Sequence, residues 1–189
     1  AFGVFAYKAK SLGFDVSTIE MSTLCCEYLS DEVGVKVFQG DKPESIIPTL
    51  DNFDVITFWH NIEHLLEPWK VLEEASKKIN PGGIILIATP NPDSFAFRLL
   101  GRFWPHIDAP RHINLISVLW DKKSLQSMRM LITKRKLSAV ETFYYGPKPL
   151  KGINVMMQKN FVIKLLIHRV GINGRHKKTK NRVKWFHKV

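Results

Sequence analysis

Two runs of consecutive apolar residues stand out along the chain, VITFW at 55–59 and IILIA at 84–88. Each is too short for a helix and rich in β-branched or aromatic side chains, the pattern of a strand buried on both faces. Between them, EPWKVLEEASKK at 67–78 places Trp69, Leu72 and Ala75 three residues apart behind Pro68, which predicts a helix opening on proline. Pro81-Gly82-Gly83 predicts the turn back into the second run. A strand, a helix and a second strand of this kind make a right-handed parallel crossover, and such sheets bind ligands beyond the carboxyl ends of their strands. The first run ends in the polar cluster His60, Asn61, Glu63, His64, and the second in Thr89-Pro90-Asn91. Both polar clusters therefore fall where a site is expected.

The rest of the chain continues the alternation. Residues 1–12 predict a helix stopped by Gly13, and 14–20 a strand that ends in Glu20. Ser22 or Thr23 can cap a helix over about 24–29, 33–38 reads as a third strand before Gly40-Asp41, and 43–50 as a short helix or loop. Pro92-Asp93-Ser94 starts a helix to about Phe103, followed by a loop rich in proline, aromatic and titratable residues, WPHIDAPRH at 104–112. Asp121 can cap a helix to about Ile132, 137–145 alternates as a strand, and 151–170 is an apolar helix interrupted by Lys159, Lys164, His168 and Arg169. No internal repeat is visible. The expected fold class is α/β, a doubly wound and mostly parallel sheet.

Composition changes this picture only through charge. With 189 residues, 45% hydrophobic and 24% charged, the chain is ordinary globular material for one core. The net +11 divides unevenly, because residues 1–100 carry 8 Lys/Arg against 14 Asp/Glu while residues 101–189 carry 20 against 3. After Glu141 no acidic residue follows. A solvated basic tail and a surface for an anionic lipid or nucleic acid both fit that half. Domain organisation is read as 1–146 and a basic amphipathic helix and tail over 147–189. The adjacent Cys25 and Cys26 cannot close an ordinary disulfide loop, and with no apolar run of 18 residues the expected location is cytoplasmic, with peripheral membrane contact through the basic half as an option.

The series FDVITFWHNIEHL, EPWKVLEEASKKINPGGIILIATPNPDS and PRHINL resembles the Rossmann-like, S-adenosylmethionine-dependent methyltransferases, over about residues 3–145. Its pattern is most similar to the branch of the ubiquinone-biosynthesis O-methyltransferases and the bacterial methyltransferases of envelope and natural-product clusters. The resemblance implies a first strand and a glycine-rich turn before the first helix, of which at most Gly3 is present; the expected sheet lacks its first strand, which in that family lies centrally, and the N-terminus reads as truncated. It also implies a closing antiparallel hairpin strand, for which RVKWFHKV at 182–189 is a poor match. S-adenosylmethionine is the implied cofactor.

Candidate residues follow from both lines. Glu20 lies 17 residues beyond Gly3, near the offset at which dinucleotide folds place a ribose-binding carboxylate, and an ionised carboxylate accepts from two vicinal hydroxyls; a solvated turn acid is the alternative. The resemblance sets Gly3, Glu20, Met21, Asp41 and His60 toward the cofactor, Asp41 being equally a turn residue before Pro43. His112, then His60, are candidates for the base that takes a proton from an acceptor hydroxyl, since imidazole titrates near neutrality. His64, Asn91, Trp104 and Arg111 are placed toward the substrate. H-x-x-E-H at 60–64 matches the spelling of an inverted zinc-protease motif, yet His60 ends a strand instead of lying on a regular helix, so no metal is expected; Glu63 with His64 alone is a poor magnesium site. Three functional classes stand: methylation of oxygen on a small-molecule, lipid or quinone-like or envelope-glycan acceptor; an RNA methyltransferase using the basic half, against which there is no Pro-Pro-Tyr type motif or stacking stripe; and a non-catalytic binding piece of the same fold.

Overall fold

Strand β3 (Phe53–Trp59) shows how the sheet is built, because its side chains alternate between two separate cores. Val55 joins Phe5, Ala6 and Ala9 of helix α1 (Val4–Ser11), whereas Ile56 and Phe58 join Val71, Leu72 and Ala75 of helix α4 (Pro68–Lys78). Strand β4 (Ile79–Pro90) alternates in the same way, with Ile84 and Leu86 on the α1 side and Ile85 and Ile87 on the α4 side. Helices cover both faces of one sheet, the doubly wound arrangement that consecutive apolar positions in a strand require.

The computed structural model describes residues 3–116 and the backbone of two further strands, β5 (Ala139–Tyr145) and β6 (Lys184–Lys188). With β1 (Asp15–Glu20) and β2 (Lys36–Gln39) they form a six-stranded sheet in the order β2-β1-β6-β3-β4-β5, and every pairing is parallel. The expected Rossmann-like class holds. The central position between β1 and β3, left open by the sequence, is filled by β6: Trp185 lies in register with Val16 on one side and Val55 on the other. The segment read as a basic tail thus supplies a central parallel strand instead of an antiparallel hairpin strand. The reason is backbone chemistry, since two facing strand edges leave rows of N–H and C=O groups that must find partners. The helices expected near 121–132 and 151–170 lie outside the described residues.

Local signals behave as their chemistry dictates, with three differences. Ser22 Oγ accepts from Cys25 N and caps helix α2 (Thr23–Tyr28), but the chain then winds into a π-helical turn, Leu29–Val33, closed by Gly34 at φ 66°, so β2 begins three residues later than its apolar pattern suggests. Pro81-Gly82-Gly83 is no turn: β4 runs through it, and the pairing with β3 shifts from Phe53↔Ile79 to Val55↔Ile84. A Cβ on Gly83 would meet the Asp54 carbonyl oxygen at 2.8 Å, so only glycine lets the strands approach there. Trp69 is 40% exposed, and the buried stripe of α4 is instead Pro68, Val71, Leu72, Ala75 and Ser76. The short helix α3 (Pro43–Ile46) and helix α5 (Phe95–Leu100), the latter capped by Ser94 Oγ accepting from Phe97 N, lie where expected. No helix among the described residues is long and apolar enough to cross a membrane.

Candidate functional site

The carboxyl end of β3 turns on an unusual residue. His60 has φ 51°, a left-handed conformation that costs a non-glycine residue energy, and its N–H donates to the Ala88 carbonyl of the neighbouring strand at 2.8 Å. The chain then drops into a single 3₁₀ turn, Ile62–His64, which carries Glu63 inward to complete burial. Glu63 Oε2 accepts from Thr89 Oγ1 at the end of β4, 3.2 Å away. Its Oε1 is buried with no hydrogen bond, and the closest cationic candidate is His60 Nδ1 at 3.4 Å. A buried carboxylate oxygen without a donor is costly, and sites of chemistry are where such costs persist.

The loop after α5 is drawn onto this turn. The Glu63 carbonyl accepts from the N–H groups of both Ile113 and Asn114, and Asn114 Nδ2 donates to the Leu65 carbonyl. These bonds bring His112 beside His64, ring centroids 4.7 Å apart. His64 Nδ1 lies 2.9 Å from the Arg111 carbonyl and His112 Nδ1 2.7 Å from the His106 carbonyl, so Nδ1 is the donor in each ring, and His112 Nε2 lies 3.9 Å from Asp108 Oδ2. Glu63, His64 and His112 each offer a ligand atom, all within 4.8 Å of one another, so among the described residues these three are the side chains that could hold a metal ion.

Electrostatics follow the packing. Partial burial, with the Trp104 ring edge-on at 5.1 Å, holds the His106 imidazole below its usual value, and nearby His60 and His112 push in the same direction against the smaller pull of Glu63. The Arg111 guanidinium bound to Asp108 holds that carboxyl below the ordinary carboxylate range.

The residues expected toward a cofactor gather at the neighbouring strand ends. Glu20 ends β1, 4% exposed, with Oε1 accepting from the N–H groups of Met21 and Ser22, each at 2.8 Å. Its backbone carbonyl accepts from Gly40 N, which brings the end of β2, and with it exposed Asp41, alongside. Met21 is 70% exposed. Gly3 caps α1 at φ 61°, and a Cβ there would meet Leu29 Cδ2 at 2.2 Å, so this position takes glycine on two counts.

Of the residues expected toward substrate, His64 lies in the cluster and Arg111 is an exposed ion-pair partner at its rim. Asn91 is buried, its Oδ1 accepting from Asp93 N in a turn that leads to α5. Trp104 is 3% exposed between Phe97 and His106 and supports the loop from beneath. Sequence reasoning missed His106 as a site residue and placed Thr89 in the polar cluster after IILIA without giving it a role. Thr89 had a readable signal, a hydroxyl directly after a fully apolar strand.

A sequence model described as a methyltransferase domain matches residues 3–125, well over half of the chain. No curated protein matches. Among solved structures, BdcA in complex with NADPH is 14% identical, with a TM-score of 0.55 over 98% of this chain and 86% of that one. A protein assigned to the short-chain alcohol dehydrogenases from Burkholderia multivorans is 13% identical, with a TM-score of 0.56 over 100% and 91%. At this identity the likeness is one of fold, a parallel sheet covered on both faces.

Proposed function

We propose, from the premise that the chain belongs to the methyltransferase-domain family, that it methylates an oxygen of a small-molecule, lipid or quinone-like, or envelope-glycan acceptor with S-adenosylmethionine as donor. The observation that carries this reading is the pairing of two sites along one sheet edge: a pre-set carboxylate, Glu20, at the end of β1, and the Glu63–His64–His112 cluster beyond β3 and β4.

The residues present fit the donor's adenosyl end. Two backbone amides fix Glu20 Oε1, which orients the carboxylate to accept from the vicinal hydroxyls of a ribose, and Asp41 at the adjoining strand end can accept from an adenine amino group. Bound there, S-adenosylmethionine supplies an electrophilic methyl on a sulfonium. Chemistry on the protein side is mostly positioning, which contributes on the order of 7–11 kcal/mol when reactants are held in line. His112, its Nδ1 donating to the His106 carbonyl, would use Nε2 to take the proton that an acceptor hydroxyl loses on methylation. The Glu63 carboxylate, in the same cluster as His112, stands near enough to offset the positive charge that the ring would gain. The basic C-terminal half expected on a membrane, 151–189, gives residues 184–188 to β6 in the sheet, so the part proposed to rest on an anionic membrane beside a hydrophobic acceptor is 151–183.

Calorimetric titration with S-adenosylhomocysteine tests the reading. Glu20→Ala is expected to lose about 1–3 kcal/mol of binding, the worth of charge-assisted hydrogen bonds, while His112→Gln keeps that affinity and loses methyl transfer. Absence of binding by the unsubstituted chain would leave a binding module of the same fold.

A further inference from the structure

Helix α5 and the turn behind it face two ways. Inward, Ala96 is buried and Phe97 packs edge-on against buried Trp104, ring centroids 5.3 Å apart. Outward, Phe95, Leu99 and Phe103 are 67%, 69% and 73% exposed, and Leu100 is 42% exposed. Arg98 and Arg102 are exposed among them, with the Arg102 guanidinium over the Phe103 ring at 4.9 Å. Residues 95–103, FAFRLLGRF, contain only apolar side chains, glycine and arginine, and no acidic residue occurs from Ser94 to Ile107. Four large apolar groups held in water beside two fixed cations are an unusual solvent face.

We propose that this face docks on an anionic lipid surface, its phenyl and leucyl groups below the headgroups and its two guanidiniums on the phosphates. Charge complementarity selects the occupant. Guanidinium paired with phosphate is a bidentate match, and arginine over an aromatic ring suits the boundary between water and hydrocarbon. The segment offers no uncharged hydrogen-bonding side chain with which to specify a protein partner. Its length, one short helix and a turn, suits lying in the plane of the headgroups and not crossing them. The same stretch leads into Trp104, His106 and His112, so docking turns the mouth of the histidine cluster toward the lipid. Binding itself does not depend on methyl transfer.

Co-sedimentation of the full chain with vesicles tests the proposal, using phosphatidylcholine alone and an equal mixture with phosphatidylglycerol. The unsubstituted chain is expected to prefer the anionic vesicles, and Phe95→Ser with Leu99→Ser and Phe103→Ser to weaken that partition roughly tenfold or more. Arg98→Gln with Arg102→Gln, which leaves every apolar group in place, is expected to weaken it on the order of fivefold per arginine and to reduce its salt sensitivity. All five positions are exposed, so thermal unfolding should be unchanged. The proposal is overturned if the triple variant partitions like the unsubstituted chain, which would give vesicle binding to the basic C-terminal half. It is equally overturned if the unsubstituted chain ignores anionic vesicles, or if sedimentation velocity shows the apolar substitutions dissolving a dimer while vesicle binding persists.

Discussion

Glu63 holds the candidate site together through two kinds of hydrogen bond, its carbonyl taking two amides of the histidine-bearing loop and its Oε2 taking Thr89, while its Oε1 faces His60 unbonded. Glu63→Gln keeps the shape and removes the charge, so the expected outcome is a folded protein with methyl transfer lowered at least tenfold, read by circular dichroism beside a turnover assay. His106 gives a pH signature. Its pKa is held below the usual 6.5, so the fold favours the neutral ring; the associated stability is complete above pH 6.5 and is lost as pH falls toward the depressed value. NMR titration should place His106 below 6.5, and His112→Asn should move it part of the way back. Gly3→Ala forces a Cβ onto Leu29 at positive φ and is expected to cost about 1–3 kcal/mol in thermal unfolding. His60, Glu63 and His64 were legible in the sequence as polar residues directly after an apolar strand, and His112 as a titratable residue of a proline-rich, aromatic loop. His106 was not, because its place depends on Trp104 packing beneath a loop, a contact with no sequence period.

At the scale of elements, burial decides what a substitution costs. Phe58 in β3 is fully buried in the α4-side core, and Phe58→Ala is expected to cost about 3–5 kcal/mol, whereas Phe103→Ala should stay within about 0.5 kcal/mol. Denaturant unfolding of the two variants measures the contrast directly. Helices α1, α4 and α5 and strands β1, β3 and β5 were readable because proline, glycine, capping serine and β-branched runs act within a few residues. The passage of β4 through Pro81-Gly82-Gly83 was not, since a register shift is a property of two strands and only Gly83 packing on the Asp54 carbonyl reveals it. The π-helical turn at Leu29–Val33 escaped for a related reason: Leu29 and Val33 are apolar enough to suggest a strand edge, and it is their burial under α1 that winds them.

For the whole molecule, β6 matters most. Its sequence, KWFHK, carries a lysine at each end and reads as part of a solvated basic stretch, and only the two open edges of β1 and β3 explain its central place. Removing residues 184–189 is therefore expected to abolish cooperative unfolding of the sheet, measured by thermal melting, beyond what loss of a tail would cause. This placement also carries a biosynthetic consequence. β6 follows every other strand of the sheet in the chain, and on the ribosome synthesis runs from the amino end at roughly 5–20 residues per second. The strands on either side leave the exit tunnel before it with their inner edges unmatched, and they stay so until β6 arrives. A nascent chain therefore holds two adhesive edges for as long as residues 60–183 are being made, and the sheet closes only after residues 184–188 have emerged.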